Sequence, residues 1–273
     1  MQGKLYVVGT PIGNLGDFSP RAAETLKNVD FIAAEDTRVT VKLLNHFEIK
    51  KPLISYFEHN KAVKGEMIIS RILAGESCAL VTDAGMPAIS DPGEELVRQA
   101  HEKGVKVESV PGPSAVITAL AISGMPSGRF CFEGFLSVNK QSRKQHLDEI
   151  KNEKRTMIFY EAPHKLLATL KDMAAVLGDR PISVVKELTK LHETVFNTTL
   201  CRAVEYFTEN APKGEYVLII GGNNDGDKKE YSLQEAVQIA KKLMDNGMST
   251  AAAAKEAASV TGIKKGDIYK ELV

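Results

Sequence analysis

The sequence predicts an α/β protein of two domains, a mostly parallel N-terminal sheet and a mixed second sheet, followed by a small helical C-terminal appendage. Three observations lead there. Short apolar runs alternate with stretches of helical spacing as far as residue 123, the pattern of a doubly wound sheet. After residue 130 the strand-like runs crowd together with fewer helices between them, which suggests mixed pairing. At 273 residues the chain exceeds a typical single domain. The expected division is 1–124 for the first α/β domain, 125–222 for the second, and 223–273 for a linker and helical tail.

Lys4-Leu5-Tyr6-Val7-Val8 reads as the first strand. The loop 9–17 after it is glycine-rich but lacks both G-x-G-x-x-G and a Gly-Lys-Ser/Thr ending, so a nucleotide phosphate loop is not expected. A helix starts at Ser19-Pro20. Val29 to Ala34 is the second strand, and it ends in Glu35-Asp36-Thr37-Arg38, either a capped turn with an internal ion pair or part of a site. Leu53 to Tyr56, a helix through Glu66 to Leu73 and the buried strand Cys78 to Val81 follow.

The stretch Thr82-Asp83-Ala84-Gly85-Met86-Pro87-Ala88-Ile89-Ser90-Asp91-Pro92-Gly93 then leads from that strand into a helix. Asp91 suits the N-cap, Pro92 the first helical position and Glu94 the return partner of a capping box. Open α/β sheets bind ligands at the carboxyl ends of their strands. Here Ala84, Gly85 and Ala88 permit close approach to the backbone and Asp83 adds a fixed negative charge; the alternative is an ordinary turn. After the strand Val105 to Val110, Pro111 to Ala115 turns into an apolar helix. Ser114 either caps that helix or presents its free N–H groups to an anion.

Phe130 to Phe135 leads into the second domain, followed by a polar, basic loop, Leu136 to Gln145. Strands at 156–160, 182–185, 193–196 and 216–220 are expected, with helices at 163–177 and near 200–208. Gly221 to Lys229 is a linker. The tail holds two or three short helices, capped at Ser249-Thr250 and broken at Gly262, with the spacing of a helix-turn-helix. Its mixed charges favour a packing appendage over a nucleic-acid reader.

Composition narrows the class. Lysine plus arginine equals aspartate plus glutamate at 35 each, so any nucleic-acid partner must be met by a local patch. Cys78, Cys131 and Cys201 sit apart within apolar runs and read as reduced core thiols. No stretch is long enough to span a bilayer and no secretory signal stands out, so a cytoplasmic location with no membrane partner is expected. The histidines lack metal-ligand spacing, so no metal is expected.

Six motifs in fixed order carry a resemblance: G-T-P-I-G-N-L at 9–15, E-D-T-R at 35–38, D-A-G-x-P-x-I-S-D-P-G at 83–93, P-G-P-S-A at 111–115, F-Y-E-A-P-H at 159–164 and K-E-L-T-K at 186–190. The set resembles the tetrapyrrole methylase superfamily, the class III AdoMet methyltransferases, and within it the branch acting on small-subunit ribosomal RNA. The resemblance runs from about residue 4 to 221. It implies a two-domain fold with S-adenosyl-L-methionine (AdoMet) in the interdomain cleft, usually as a homodimer. It also implies methyl transfer to the ribose 2′-hydroxyl of a cytidine, cytidine 1402, in 16S rRNA.

By that resemblance Pro11, Asp83, Ala84, Gly85, Ile89, Ser114 and Ala115 surround the cofactor, with Ala162, Leu188 and Glu215 from the second domain. The general base stays open among Glu161, Glu187, Glu35 and Asp36, with Arg38 or Lys186 able to lower the hydroxyl's pKa. Lys186 and Glu187 beside Glu161 are favoured for catalysis, with Asp36 and Arg38 as further candidates. Glu35, Asp36 and Arg38 are the better fit to orienting RNA. Lys140, Arg143, Lys144, Lys165 and Lys190 are the other candidate RNA contacts; residues 140–155 hold six Lys/Arg against three Asp/Glu. Near-neutral charge favours an assembled small subunit over free rRNA as the substrate. Two alternatives remain: a same-fold methyltransferase acting on a tetrapyrrole or a protein side chain, and a non-catalytic ribosome-binding module.

Overall fold

Strands β1 (Lys4–Val8), β2 (Phe31–Ala34), β3 (Leu53–Ser55), β4 (Cys78–Val81) and β5 (Lys106–Val110) pair in the order β3-β2-β4-β1-β5. Every pair is parallel. The structure, a computed structural model, describes residues 3–223 and 231–272. β2 and β4 are buried along their whole length, as expected of central parallel strands covered on both faces. One face packs on α3 (Lys61–Leu73) and α4 (Gly93–Glu102), the other on α1 (Pro20–Asn28) and α2 (Thr37–His46). Ser19 caps α1 by accepting from the Ala22 N–H at 3.1 Å, with Pro20 at the first helical position.

The second sheet joins β6 (Phe130–Phe135), β7 (Thr156–Glu161), β8 (Pro181–Lys186), β9 (Thr194–Thr199) and β10 (Tyr216–Ile220) in the order β6-β7-β10-β8-β9. Only β6 and β7 are parallel, so the sheet is mixed as expected. Helices α6 (Lys140–Ile150), α7 (Pro163–Leu177) and α8 (Leu200–Glu209) cover one face. The other face receives α5 (Ala115–Ser123), which leaves the first sheet and buries Val116, Ala119 and Leu120 against Ile158, Val185, Leu188, Val217 and Ile219. Each of the larger aliphatic side chains gains on the order of 2 kcal/mol on burial, so α5 fixes one sheet firmly beside the other. Residues 1–223 form one compact unit.

Residues 224–273 form a second unit. Its three helices, α9 (Leu233–Asp245), α10 (Thr250–Thr261) and α11 (Lys265–Lys270), enclose a small core of alanines with Ile268. Ser232 and Glu235 make a reciprocal capping box at α9. Gly262 ends α10 in the left-handed region (φ 73°). The expected linker from 221 lies beyond residue 223 outside the described residues.

Three sequence expectations need correction. Asp91 is not the N-cap of α4; Pro92 occupies that position, without a side-chain capping bond. The expected basic loop is helical from Lys140, because Asn139 accepts from the Gln141 and Ser142 N–H groups and starts α6. Of the three thiols only Cys78 is a core residue; Cys131 is half-buried and Cys201 is exposed on α8. An amphipathic helix places apolar neighbours around an outward-facing position, so an apolar run did not mean burial there.

Candidate functional site

The loops after β1, β4 and β5 are stitched together. Thr10 and Gly85 exchange both backbone bonds, the Thr10 N–H donating to the Gly85 oxygen at 2.9 Å and the Gly85 N–H to the Thr10 oxygen at 3.2 Å. The Thr10 hydroxyl donates to the Thr82 carbonyl at 3.1 Å. Gly9 lies so close to Gly112 that a Cβ on Gly9 would stand 2.7 Å from the Gly112 Cα. Between these loops and the second sheet lies a cleft of about 470 Å³, within the size range of small-molecule sites. Asp83, Ala84, Gly85, Ile89, Ser114 and Ala115 line it from the first sheet. Ala162, Leu188 and Glu215 line it from the second. Pro11 is not in the lining; its neighbour Ile12 is.

One wall carries three carboxylates. Glu35 Oε2 accepts from the Thr82 hydroxyl at 2.6 Å, and Asp83 Oδ1 accepts from the Asp36 N–H at 3.1 Å. Burial, opposed by that backbone bond and aided by Glu35 and Asp36, holds the Asp83 carboxyl above its ordinary range. Burial also pushes Asp91 up to about 6, with Glu35 and Asp83 adding to the shift and the Thr82 hydroxyl opposing it. The opposite wall is aromatic: Tyr160 packs against Phe132 and Phe135 at 4.9 and 5.4 Å between centroids. Phe135 stays 56% exposed at the mouth, re-aimed by a bulge between Phe132 and Gly134.

These residues fit AdoMet. The small Ala84, Gly85, Ala115 and Ala162 leave room for a flat heterocycle against apolar Ile12, Leu188 and Val217. Ser114 is the N-cap of α5 but makes no side-chain capping bond, so the helix start suits a carboxylate. The Asp83 wall suits hydroxyls or an ammonium.

The remaining candidates are placed differently. Glu161 is buried, its Oε1 accepting from the Ala162 N–H at 2.8 Å and lying 3.1 Å from Lys165 Nζ, its Oε2 accepting from the Thr169 hydroxyl at 2.5 Å. Both oxygens tie the end of β7 to α7. Glu187 has a left-handed backbone (φ 53°), and its Oε1 accepts from the Glu215 N–H and from Lys190 Nζ at 2.9 and 3.0 Å. The Glu215 N–H first, and Lys190 second, hold its carboxyl below the usual range. Lys190 also reaches Glu215 Oε2 at 2.8 Å. Lys186 shares a row with Tyr216 and Glu161 across β8, β10 and β7. Lys186 and Glu187 do not line the cleft, whereas Glu161 does.

Asp36 caps α2, and Arg38 grips it with Nε at 3.0 Å and Nη2 at 2.6 Å, holding its carboxyl down at about 2. Asp36 therefore has little basicity, while Arg38 itself is exposed. Among the candidate RNA contacts, Lys140 and Lys144 are exposed on α6. Lys165 stands 5.6 Å from the Phe135 ring centre. Glu35 faces the cleft. Arg143 is different: it is buried and bonded to Asp172, so it belongs to the core.

The sequence model of the family described as Tetrapyrrole (Corrin/Porphyrin) Methylases matches residues 4–203. The chain belongs to the tetrapyrrole methylase family. It is 47% identical over 269 residues to "Ribosomal RNA small subunit methyltransferase I" of Synechocystis sp., covering 98% of this chain and 96% of the relative. The protein of the same name from Halalkalibacterium halodurans is 48% identical over 271 residues, covering 98% and 94%. The one from Bacillus subtilis is 43% identical over 270 residues, covering 99% and 92%. Solved structures share the fold at low identity. Diphthine synthase aligns with a TM-score of 0.63 at 15% identity, over 80% of this chain and 89% of its own. A cobalt precorrin-4 methyltransferase aligns at 0.59 and 19%, over 80% and 94%.

Asp91, Phe135 and Tyr160 of this tetrapyrrole methylase are among the cleft residues that sequence reasoning did not name as site residues. For Asp91 the signal was present but ambiguous, since an aspartate before a proline reads first as a helix cap. Tyr160 lies within the F-Y-E-A-P-H motif but, like Phe135, reads first as core, because an aromatic residue in a strand is ordinarily buried.

Proposed function

We propose that this chain transfers a methyl group from AdoMet to the ribose 2′-hydroxyl of a cytidine, cytidine 1402, in 16S rRNA of the small ribosomal subunit. The observation that carries this reading is the near-full-length identity of 43–48% to relatives named as small-subunit rRNA methyltransferases. The cleft supports it. AdoMet, when bound, supplies a methyl group already activated on sulfonium, so the protein's task is positioning and proton removal. Asp83, Ala84, Gly85, Ile89, Ser114 and Ala115 hold the donor from the first half of the chain (1–124). Ala162, Leu188 and Glu215 close over it from the second (125–222). Arg38, Lys140, Lys144 and Lys165 meet the RNA backbone around the mouth. A homodimer in the cytoplasm belongs to the same reading, with sedimentation of the full chain as the check on assembly. Among the described residues no helix is long and apolar enough to cross a membrane.

Labelled methyl transfer to unmethylated small subunits, naked 16S rRNA and a tetrapyrrole precursor tests the reading. Label is expected in the small subunit, in an alkali-resistant dinucleotide, because a 2′-O-methyl group removes the hydroxyl that alkaline cleavage needs. Label in a base or in the tetrapyrrole would overturn the assignment. Asp83→Ala is expected to weaken AdoMet binding by about tenfold or more, the worth of a hydrogen bond to a charged group. Unchanged affinity by calorimetry would remove Asp83 from the donor site.

A further inference from the structure

We propose that Asp91 is the base that takes the proton from the ribose hydroxyl during methyl transfer. The inference rests on the function proposed above and names the group which that reading left open. The 2′-oxygen attacks the methyl carbon, an O–CH₃ bond forms as the S–CH₃ bond breaks, and the bonding pair returns to sulfur, leaving a neutral thioether. The hydroxyl proton passes to the Asp91 carboxylate and then to solvent.

Geometry comes first. Asp91 lines the cleft on the loop between β4 and α4, where its expected capping role is not used. Two non-glycine residues just before it, Ala88 (φ 68°) and Ser90 (φ 65°), are held in the left-handed region. Gly93 presses from the other side, a Cβ there standing 2.9 Å from the Ala88 nitrogen. Each such backbone costs of order 1–3 kcal/mol and persists only where the surroundings enforce it. The loop held in this way carries Asp91 into the cleft lining.

The neighbours supply the chemistry. Thr82 and Asp83 face Asp91 from its own loop, Glu35 from the end of β2, and Tyr160 from β7. The Thr82 hydroxyl has one proton, which it donates to Glu35 at 2.6 Å while also facing Asp91. Asp91 can draw on that donor only by sharing it, and it stands beside the Glu35 and Asp83 carboxylates. Among the described residues no lysine or arginine pairs with it; Lys165 on α7 is held by Glu161. Glu35 already accepts the Thr82 proton at 2.6 Å, and the other three candidates lack what a base needs. Glu161 has both oxygens engaged, Glu187 is gripped by Lys190 and a backbone N–H, and Asp36 is clasped by Arg38. Burial, then Glu35 and Asp83, raise Asp91 to about 6, close to the working pH, where a general base is most effective.

The test uses the full chain, AdoMet and unmethylated small subunits. Asp91→Asn is expected to lower kcat by about 10²-fold or more while AdoMet affinity by calorimetry stays within about threefold. The acid limb near pH 6 expected of the wild type should be absent from the residual rate. Glu35→Gln removes a like charge and should move that limb to lower pH. A ¹³C-carboxyl NMR titration gives a readout free of turnover: one aspartate resonance titrating near pH 6, absent in Asp91→Asn and shifted down in Glu35→Gln.

Folding is checked by the sign of the stability change. A carboxyl raised from its ordinary 3.8 to about 6 stabilises the native state most below about pH 4 and loses that contribution as pH rises through 6. Asp91→Asn should therefore raise Tm at pH 7.5. If the wild type does not methylate small subunits, the function reading falls and this inference with it. If the wild type is active and Asp91→Asn keeps its rate and acid limb, only the assignment of Asp91 falls.

Discussion

Replacing Arg143 by alanine is expected to destabilise the protein by about 3 kcal/mol and to leave affinity for ribosomal RNA unchanged. Its side chain is only 10% exposed. Nε donates to Asp172 Oδ2 at 2.8 Å with Nη2 2.6 Å from the same oxygen, and Nη1 donates to the Ser137 and Val138 carbonyls at 3.0 and 3.2 Å. Truncation leaves a carboxylate on α7 and two carbonyls at the entry to α6 without their donor. Stranding one partner of a buried pair costs about 3–5 kcal/mol; Asp172 is 23% exposed, so water recovers part of that. Arg143→Lys keeps the charge but not the planar fork, and an intermediate loss of roughly 1–2 kcal/mol is expected. Thermal unfolding of the three proteins, with small-subunit binding measured in parallel, checks both halves. A loss below about 1 kcal/mol with weakened binding would return Arg143 to the RNA face.

Arg143 also shows where sequence reasoning stops. In the chain it is one of six cations in a basic stretch, and nothing local separates it from Lys140 and Lys144. The separation is made by Asp172, 29 residues away, on a helix that packs against α6. The layers, the parallel first sheet and the mixed second sheet were legible because apolar runs and their spacing are local. Nearly all the expected donor-site residues reached the cleft, because loops at strand ends in this topology converge. The catalytic group was less legible. Glu161 and Glu187 looked available as carboxylates at strand ends, but their oxygens are taken by Thr169, Lys165, Lys190 and backbone N–H groups. Asp91 looked like a cap, and only the strained loop around it and the shared Thr82 hydroxyl mark it otherwise.

Gly9→Ala is expected to disturb the cleft more than any change to a polar residue of its first-sheet side. The chain passes from β1 to Thr10 directly beneath the turn after β5, and a Cβ on Gly9 would lie 2.7 Å from both the nitrogen and the Cα of Gly112, and 2.8 Å from Met86 Sδ. The methionine can swing aside; backbone atoms cannot. The two loops must therefore separate, and the Gly9 N–H bond to the Val110 oxygen at 3.0 Å and the paired Thr10–Gly85 bonds lie in the path of that movement. Overpacking of this kind costs about 1–3 kcal/mol, and loss of a backbone pair adds about 1 kcal/mol. Because Gly85, Ser114 and Ala115 stand on the displaced segments, AdoMet affinity should fall by about tenfold to a hundredfold, more than the stability loss alone would produce. Gly128→Ala, where a Cβ meets nothing within 4 Å, should leave both quantities at wild-type values. Calorimetric titration of AdoMet into the two variants decides the matter. Wild-type affinity in a folded Gly9→Ala protein would mean that the donor does not rest on the joined loops after β1 and β5, and the cleft would no longer explain its own glycines.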